Sequence, residues 1–131
     1  MTLTLEEANH ITAGAIAKAE ELNIGINVAV CDAGGRLMAL QRMDTASWAG
    51  GFGSQGKAMA SAAFGQPSGN LTERANHPTL RGIVAAEGDH MMLGQGGLPI
   101  TRDGRVIGAV GVGGGTAQED EDCSRAGIER L

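Results

Sequence analysis

The chain has 131 residues, a formal net charge of −5 at pH 7, and an apolar fraction of 42% that is almost entirely aliphatic, with one Trp, two Phe and no Tyr. This length suits one buried domain, so we predict a single domain over residues 1–131, and its small aliphatic core favours burial of further area by self-association. The negative charge argues against nucleic acid as the main partner, and the absence of a leader or an apolar run of membrane-spanning length predicts a cytoplasmic protein without membrane contact.

The N-terminal part of the chain predicts a helix followed by a β-hairpin. Thr4 and Glu7 have the spacing of a capping box, and apolar residues then recur every three to four positions as in an amphipathic helix. Residues 26–31 alternate as in a strand, residues 32–35 form a turn, and residues 36–43 form the returning strand.

The middle of the chain is less regular. Four glycines between positions 50 and 56 predict a loop or a frayed segment, after which the Ala-rich residues 57–64 predict a helix. Short helices are expected at residues 70–77 and 79–87, on either side of Pro78, and a strand at residues 91–93.

The C-terminal part predicts a second hairpin and a capped helix. Two apolar runs, residues 98–101 and 105–112, flank Asp103-Gly104, which supplies the positive φ angles of a tight turn. Three glycines then lead to Thr116, which caps a helix expected over residues 117–131 together with Glu119. Strand, glycine loop and helix start predict a concave backbone wall that a ligand can approach closely.

The order of elements predicts the fold class. Because hairpins rather than crossovers join the strands, we expect an antiparallel sheet of an α+β protein, with the helices on one side of the sheet.

The segment GFGSQGK, residues 51–57, matches two nucleotide-binding patterns. However, Ala58 follows where a phosphate loop needs Ser or Thr to hold magnesium, and hairpin topology provides no preceding parallel strand. We therefore expect a flexible lip before a helix, with Lys57 as a lone cation.

The three histidines lack the spacing of a preformed zinc site. His10 lies off the apolar stripe of the first helix and is expected in solvent. His77, before Pro78, and His90, after Asp89, lie in predicted loops, where each ring either faces a ligand or is simply exposed to water.

Charged residues around the second strand offer two interpretations. The first is a structural ion pair of Asp44 with Arg42 or Lys57. The second places Lys57 partly buried beside a pocket, where it would hold a carboxylate or act as a base. The acidic run at residues 119–122 indicates a cap and a solvated face, and the two cysteines are expected to be reduced structural thiols.

Nearly the whole chain resembles the GlcG/HbpS family, which includes the C-terminal domain of PduO-type proteins. The matching segments, in order, are LTLEEA, VAVCDAGGRLMALQRMD, the lysine-alanine helix ending AAFGQP, GGLPI and GRVIGAVGVGGGTAQEDED. The resemblance implies an antiparallel five-stranded sheet similar to profilin-like folds and assembly into dimers and often octamers. Some members bind or handle haem, and others resemble enzymes of catabolic pathways.

Our first functional hypothesis is the binding of haem or a related tetrapyrrole. His77 or His90 would lie near the iron, and Arg42 or Lys57 would meet the propionates. The surface against the macrocycle would consist of Met91, Met92, Gly113, Gly114, Gly115 and Thr116.

The second hypothesis is an enzyme acting on a small carboxylated metabolite, as an isomerase, a tautomerase or a hydrolase. Lys57 or Arg42 would hold the carboxylate, His77, His90 or Asp44 would move protons, and amides of the glycine loop would stabilise an oxyanion. A third possibility is an accessory oligomer without a small ligand.

Overall fold

The computed structural model describes residues 2–131 and shows four helices, a 3-10 helix and four strands within that range. Both predicted capping boxes are present, with Thr4 and Glu7 starting α1 and Thr116 and Glu119 starting α4. The elements in order are α1 (Leu5–Glu21), β1 (Asn27–Asp32), β2 (Leu37–Arg42), α2 (Gly50–Phe64), the 3-10 helix (Ser68–Arg74), α3 (Pro78–Glu87), β3 (Gly97–Arg102), β4 (Arg105–Gly113) and α4 (Ala117–Ile128).

The four strands form one antiparallel sheet with the order β2-β1-β4-β3. The α+β class is therefore confirmed, whereas the expectation of five strands is wrong within the described residues. The predicted strand at residues 91–93 is a loop that crosses α2, and the backbone N–H of Met92 donates to the carbonyl of Gly56 at 3.0 Å. Its backbone bonds to a helix, so it cannot extend the sheet.

Helices cover both faces of the sheet, so the prediction of helices on one side is also wrong. β1 shows the reason, because its two sets of alternating side chains are both buried. Val28 and Val30 face α1 and α4, while Ala29 and Cys31 face α2. In the sequence, the small residues that face α2 resemble the solvent-exposed side of a strand. Their small size instead lets the helix approach the sheet closely.

The larger core lies between the sheet and the layer formed by α1 and α4, and the smaller core lies under α2. The larger one includes Ile11, Ile26, Val28, Val30, Ile100, Val110, Val112 and Cys123. The smaller one consists of Cys31, Ala58, Ala62 and Ala109. Both cysteines are free and buried, as the sequence predicts.

α2 begins at Gly50, seven residues before the predicted helix start at Lys57. The motif GFGSQGK is therefore helical, which removes the flexible lip and leaves no loop to surround a phosphate. Tertiary packing overrides the low helix propensity of glycine here. A Cβ on Gly56 would lie 2.5 Å from the carbonyl oxygen of His90, so the loop at residues 90–92 can cross α2 only because that position is glycine.

Candidate functional site

The glycine loop after β4 packs against backbone. Gly113 is buried, and a Cβ there would lie 3.1 Å from the carbonyl oxygen of Gly50. Gly114 has a φ of +134° and would meet the carbonyl of Gly25 if it carried a side chain. Close chain packing thus accounts for these two glycines, and the role of the predicted glycine wall in ligand binding stays a prediction.

Lys57 and Asp120 form an ion pair beside this loop. Nζ of Lys57 lies 3.1 Å from Oδ2 of Asp120 and donates to the carbonyl of Val112 at 2.9 Å, while the amide of Gly115 donates to Oδ1 of Asp120 at 2.8 Å. The side chains are only 16% and 5% exposed. The pair therefore ties α2 to the end of β4 and the start of α4, and Lys57 is not a lone cation.

Burial raises the pKa of Asp120 above its ordinary value, although the amide of Gly115 and the ammonium of Lys57 oppose this rise. The sequence interpretation of residues 119–122 as a solvated face is therefore wrong for Asp120, which is buried. The distance of 63 residues between Lys57 and Asp120 left no local signal for this pair.

Arg42 and Asp44 are exposed at the end of β2, and neither forms an ion pair with a residue in the described range 2–131. Both predicted pairings of Asp44 are therefore wrong. Arg42 faces Asn27, which in turn faces Gly113 across β1 and β4, so Arg42 and the glycine loop lie at the same end of the sheet.

His77 and His90 lie at opposite ends of α3. The Nδ1 atom of His77 accepts from the amide of Thr79 at 3.2 Å and caps the start of the helix. His90 follows the end of the helix, and the ten residues of α3 give it a length of about 15 Å, so the two histidines lie at opposite ends of it. One chain therefore cannot offer both histidines to one iron, and no group of three or more metal-binding side chains occurs between residues 2 and 131.

His90 lines a cleft between α2 and the start of β2, which we call the β2–α2 cleft. Its volume is about 210 Å³, and its lining residues are Ala29, Cys31, Gly35, Arg36, Leu37, Gln55, Ala58, Met59 and His90. Most of this lining is apolar, Arg36 supplies a cation at the rim, and the side chain of His90 is 72% exposed. Burial raises the pKa of the Cys31 thiol to about 12, so the floor carries no thiolate at neutral pH.

Glu87, at the end of α3, holds His90 in place. One carboxylate oxygen of Glu87 accepts from the amides of His90 and Met91 at 3.1 and 2.7 Å, and the other lies 3.1 Å from Nδ1 of His90. Gly88, with a φ of +105°, makes the turn, and a Cβ there would lie 3.0 Å from the imidazole ring. Nε2 of His90 makes no hydrogen bond to any residue of the described chain.

Met91 and Met92 point to different surroundings. Met91 is buried with Ala60 and Leu71 in a small core beneath the 3-10 helix. Met92 is 40% exposed and lies against Gly56 of α2. Of the two, only Met92 offers an exposed surface near His90.

Four large apolar side chains on β2 and around the start of α2, namely Leu37, Leu40, Trp48 and Phe52, are exposed, and we call them the apolar patch. Leu37 and Leu40 pair with Cys31 and Ala29 of β1, so both side chains lie on the same face of the sheet as α2. α2 covers this face away from β2. The rings of Trp48 and Phe52 meet edge to face, with centroids 6.0 Å apart, and are 69% and 62% exposed. Phe52 lies one and two turns before Gln55 and Met59, on the same side of α2.

Sequence reasoning identified His90 but missed most of the residues around it. No local pattern marks Arg36, Leu37, Met59 or Glu87 as site residues, because the cleft is formed by elements distant in the chain. The one local signal was the spacing of Glu87 and His90, three residues apart around a glycine, which places a carboxylate beside a ring in a tight turn.

The fold is that of a small α+β protein with a four-stranded antiparallel sheet, and in this chain a cleft lies between β2 and α2. The model of the family described as "Haem degrading protein HbpS-like" matches residues 3–129. The chain therefore belongs to the GlcG/HbpS family, as the sequence resemblance indicates.

Individual relatives agree with this assignment. An uncharacterized 15.0 kDa protein from the dhaT-dhaS intergenic region of Citrobacter freundii is 34% identical over 129 residues, which cover 98% of this chain and 91% of that protein. The crystal structure of protein ORFY from Klebsiella pneumoniae is 30% identical, covers 99% of this chain and 90% of its own, and superposes with a TM-score of 0.91. The PduOC:haem complex shares the fold, with a TM-score of 0.89, coverage of 100% and 96%, and 24% identity.

No helix in the described range is both long and apolar enough to cross a membrane.

Proposed function

We propose that this protein binds haem or a related tetrapyrrole at the β2–α2 cleft, with Nε2 of His90 as the ligand to iron. The observation that carries the proposal is that His90, the one predicted ligand with a free ring nitrogen beside a cleft, shares this cleft with apolar side chains and Arg36. The family description as haem degrading and the haem held by PduOC support the choice of ligand.

The residues present fit such a ligand. Histidine is a common axial ligand of haem iron, and bound haem would supply a redox-active metal. Leu37 and Met59 would contact the macrocycle, and Arg36 lies where it can pair with a propionate. Because about 210 Å³ is below the usual volume of a ligand pocket, the cleft would take one edge of the ring, and the remainder would extend out of the open side of the cleft.

The alternative of an enzyme for a carboxylated metabolite has less support. Lys57, its candidate base or carboxylate ligand, is paired with Asp120 and bonded to Val112, and it lines none of the surface of the β2–α2 cleft. Asp44 and Arg42 are exposed without partners in the described range, and His77 caps a helix at the far end of α3.

We further propose that the chain forms a homo-oligomer through the apolar patch. Monomers rarely expose several large apolar side chains together, and Leu37, Leu40, Trp48 and Phe52 are between 40% and 69% exposed. A second subunit over the patch would also cover the open side of the cleft. Cytoplasmic location stays a prediction from the sequence.

The direct test is titration of the purified protein with hemin, followed by the Soret band. We expect a saturable red shift for the wild type, and a loss of affinity of at least about tenfold in His90→Ala, because the iron loses its protein ligand.

His77→Ala is the matched control, because His77 is also an exposed histidine flanking α3 but lies at the opposite end of this helix, which is about 15 Å long. Its titration should match that of the wild type. The proposal is wrong if the wild type shows no saturable shift, or if His77→Ala loses binding while His90→Ala keeps it.

A further inference from the structure

Glu87 makes contacts that go beyond closing the turn after α3. Its two carboxylate oxygens reach three nitrogens, namely the amides of His90 and Met91 and the ring Nδ1 of His90, at 2.7 to 3.1 Å. The Glu87 side chain is 21% exposed, against 72% for the ring that it contacts. The better-packed carboxylate therefore anchors the more exposed imidazole.

The contact decides which ring nitrogen is free. An ionised carboxylate can only accept hydrogen bonds, so the Nδ1 atom of His90 must carry the proton in this contact. In the neutral ring, Nε2 then has a lone pair, and no residue of the described range occupies it. A histidine that ligates a metal through one nitrogen commonly donates its other N–H to such a carboxylate, which orients the ring and strengthens the donor.

We propose that Glu87 is a positioning residue that fixes the tautomer and the orientation of His90, so that Nε2 is presented to the iron of a haem-type ligand. The ligand part of this inference rests on the proposed function. The part concerning Glu87 and His90 can be tested in the protein without any ligand, so the failures of the two can be distinguished.

The first experiment measures the His90 tautomer by ¹⁵N NMR of the ligand-free protein at a pH where the ring is neutral. We expect the Nδ1–H form to predominate in the wild type. In Glu87→Gln, whose neutral amide is a weaker acceptor, the population should shift towards the Nε2–H form. A wild-type ring that is mainly Nε2–H, or a Glu87→Gln spectrum identical to that of the wild type, would overturn the positioning role.

The second experiment compares hemin affinity and the iron reduction potential. Glu87→Gln should weaken binding by about 10-fold to 100-fold and raise the potential, because the imidazole becomes a poorer donor to ferric iron. Glu73→Gln is the matched control, since Glu73 is exposed in the 3-10 helix. Weaker binding with an unchanged potential would mean that Glu87 only maintains the loop, and this would contradict the inference.

If the wild type binds no hemin while its His90 is Nδ1–H, the proposed function fails and Glu87 retains a positioning role towards His90 alone.

Discussion

At the scale of single residues, the ion pair between Lys57 and Asp120 shows how burial changes the meaning of a charge. Both side chains are nearly enclosed, and each has a second partner in the backbone, Val112 for Lys57 and Gly115 for Asp120. The raised pKa of Asp120 indicates that these partners do not fully offset the loss of hydration. The carboxylate of Asp120 therefore depends more on its partner for stability than the ammonium of Lys57 does.

Removal of Lys57 should therefore destabilise the protein more than removal of the carboxylate. Lys57→Met leaves a buried carboxylate without its cation and should lower the free energy of unfolding by about 3 kcal/mol near neutral pH. Asp120→Asn keeps an acceptor for Gly115, and the ammonium of Lys57 loses one acceptor but keeps its hydrogen bond to the carbonyl of Val112, so the cost should be smaller, about 1–2 kcal/mol. Urea denaturation of both variants measures the difference, and a larger loss in Asp120→Asn would contradict this account.

The loss of unfolding free energy in Lys57→Met, which we call its deficit, should also depend on pH. A carboxyl whose pKa is raised on folding contributes stability below its ordinary value of 3.8, and this contribution is lost as pH rises through the raised value. Without Lys57 the pKa of Asp120 should rise further, so the deficit should be small near about pH 4 and grow towards about pH 7. Equal deficits at both pH values, measured by urea denaturation, would show that Asp120 is not the cause.

At the scale of elements, α2 is the helix on which both the packing and the candidate site depend. Its start is poor in helix-forming residues, yet the helix is continuous from Gly50 to Phe64, and Gly50, Gly51 and Gly56 each face another segment of the chain. Gly56 receives the loop at residues 90–92, which carries His90 and Met92. A change at this contact should thus affect stability and the cleft together.

Gly56→Ala and Gly53→Ala form a matched pair that separates packing from propensity. A Cβ at Gly56 would lie 2.5 Å from the carbonyl of His90 and 2.6 Å from Cγ of Met92, whereas nothing lies within 4 Å of a Cβ at Gly53. We expect Gly56→Ala to lose about 1–3 kcal/mol of stability and to weaken hemin binding. Gly53→Ala should gain up to about 1 kcal/mol, because alanine favours the helix.

Thermal denaturation and hemin titration of both variants test this pair. Equal destabilisation of the two variants would show that the loop at residues 90–92 makes no tight contact with α2 at Gly56.

At the scale of the whole molecule, the uncovered apolar patch beside β2 is the feature that a single chain leaves unexplained. α2 lies over β4, β1 and β3 and leaves the β2 edge largely open, so Leu37 and Leu40 are exposed on β2, as are Trp48 and Phe52 around the start of α2. This exposure motivates the proposed self-association, since a second subunit would remove the patch from water.

A charge in the patch should dissociate the oligomer. Leu40→Lys should lower the molar mass measured by light scattering after size-exclusion chromatography and leave the secondary structure intact, because Leu40 is 40% exposed on an edge strand. Ile83→Lys is the control, because Ile83 is similarly exposed, at 42%, but lies on α3 outside the patch. An unchanged mass in Leu40→Lys, or a wild type that is already monomeric, would contradict the proposed interface.

Much of the fold was predictable from local patterns. The capping boxes of Thr4 and Thr116, the turn at Asp103-Gly104 and the alternation in β1 each depend on residues close together in the chain. The false strand at residues 91–93 and the predicted start of α2, which was seven residues too late, both arise from contacts across the fold, of Met92 with Gly56 and of Gly50 with Asn27. His90 could be selected as a candidate, but its partners in the cleft come from three distant segments.

The sequence by itself determined the family, the α+β class and the hairpin order, because capping, turn chemistry and alternation act over a few residues. Tertiary structure alone decided that helices cover both faces of the sheet, that Lys57 pairs with Asp120, and that His90 rather than His77 borders the β2–α2 cleft. These outcomes depend on which surfaces, distant in the sequence, pack against each other and exclude water. Local patterns of residue types do not determine this packing.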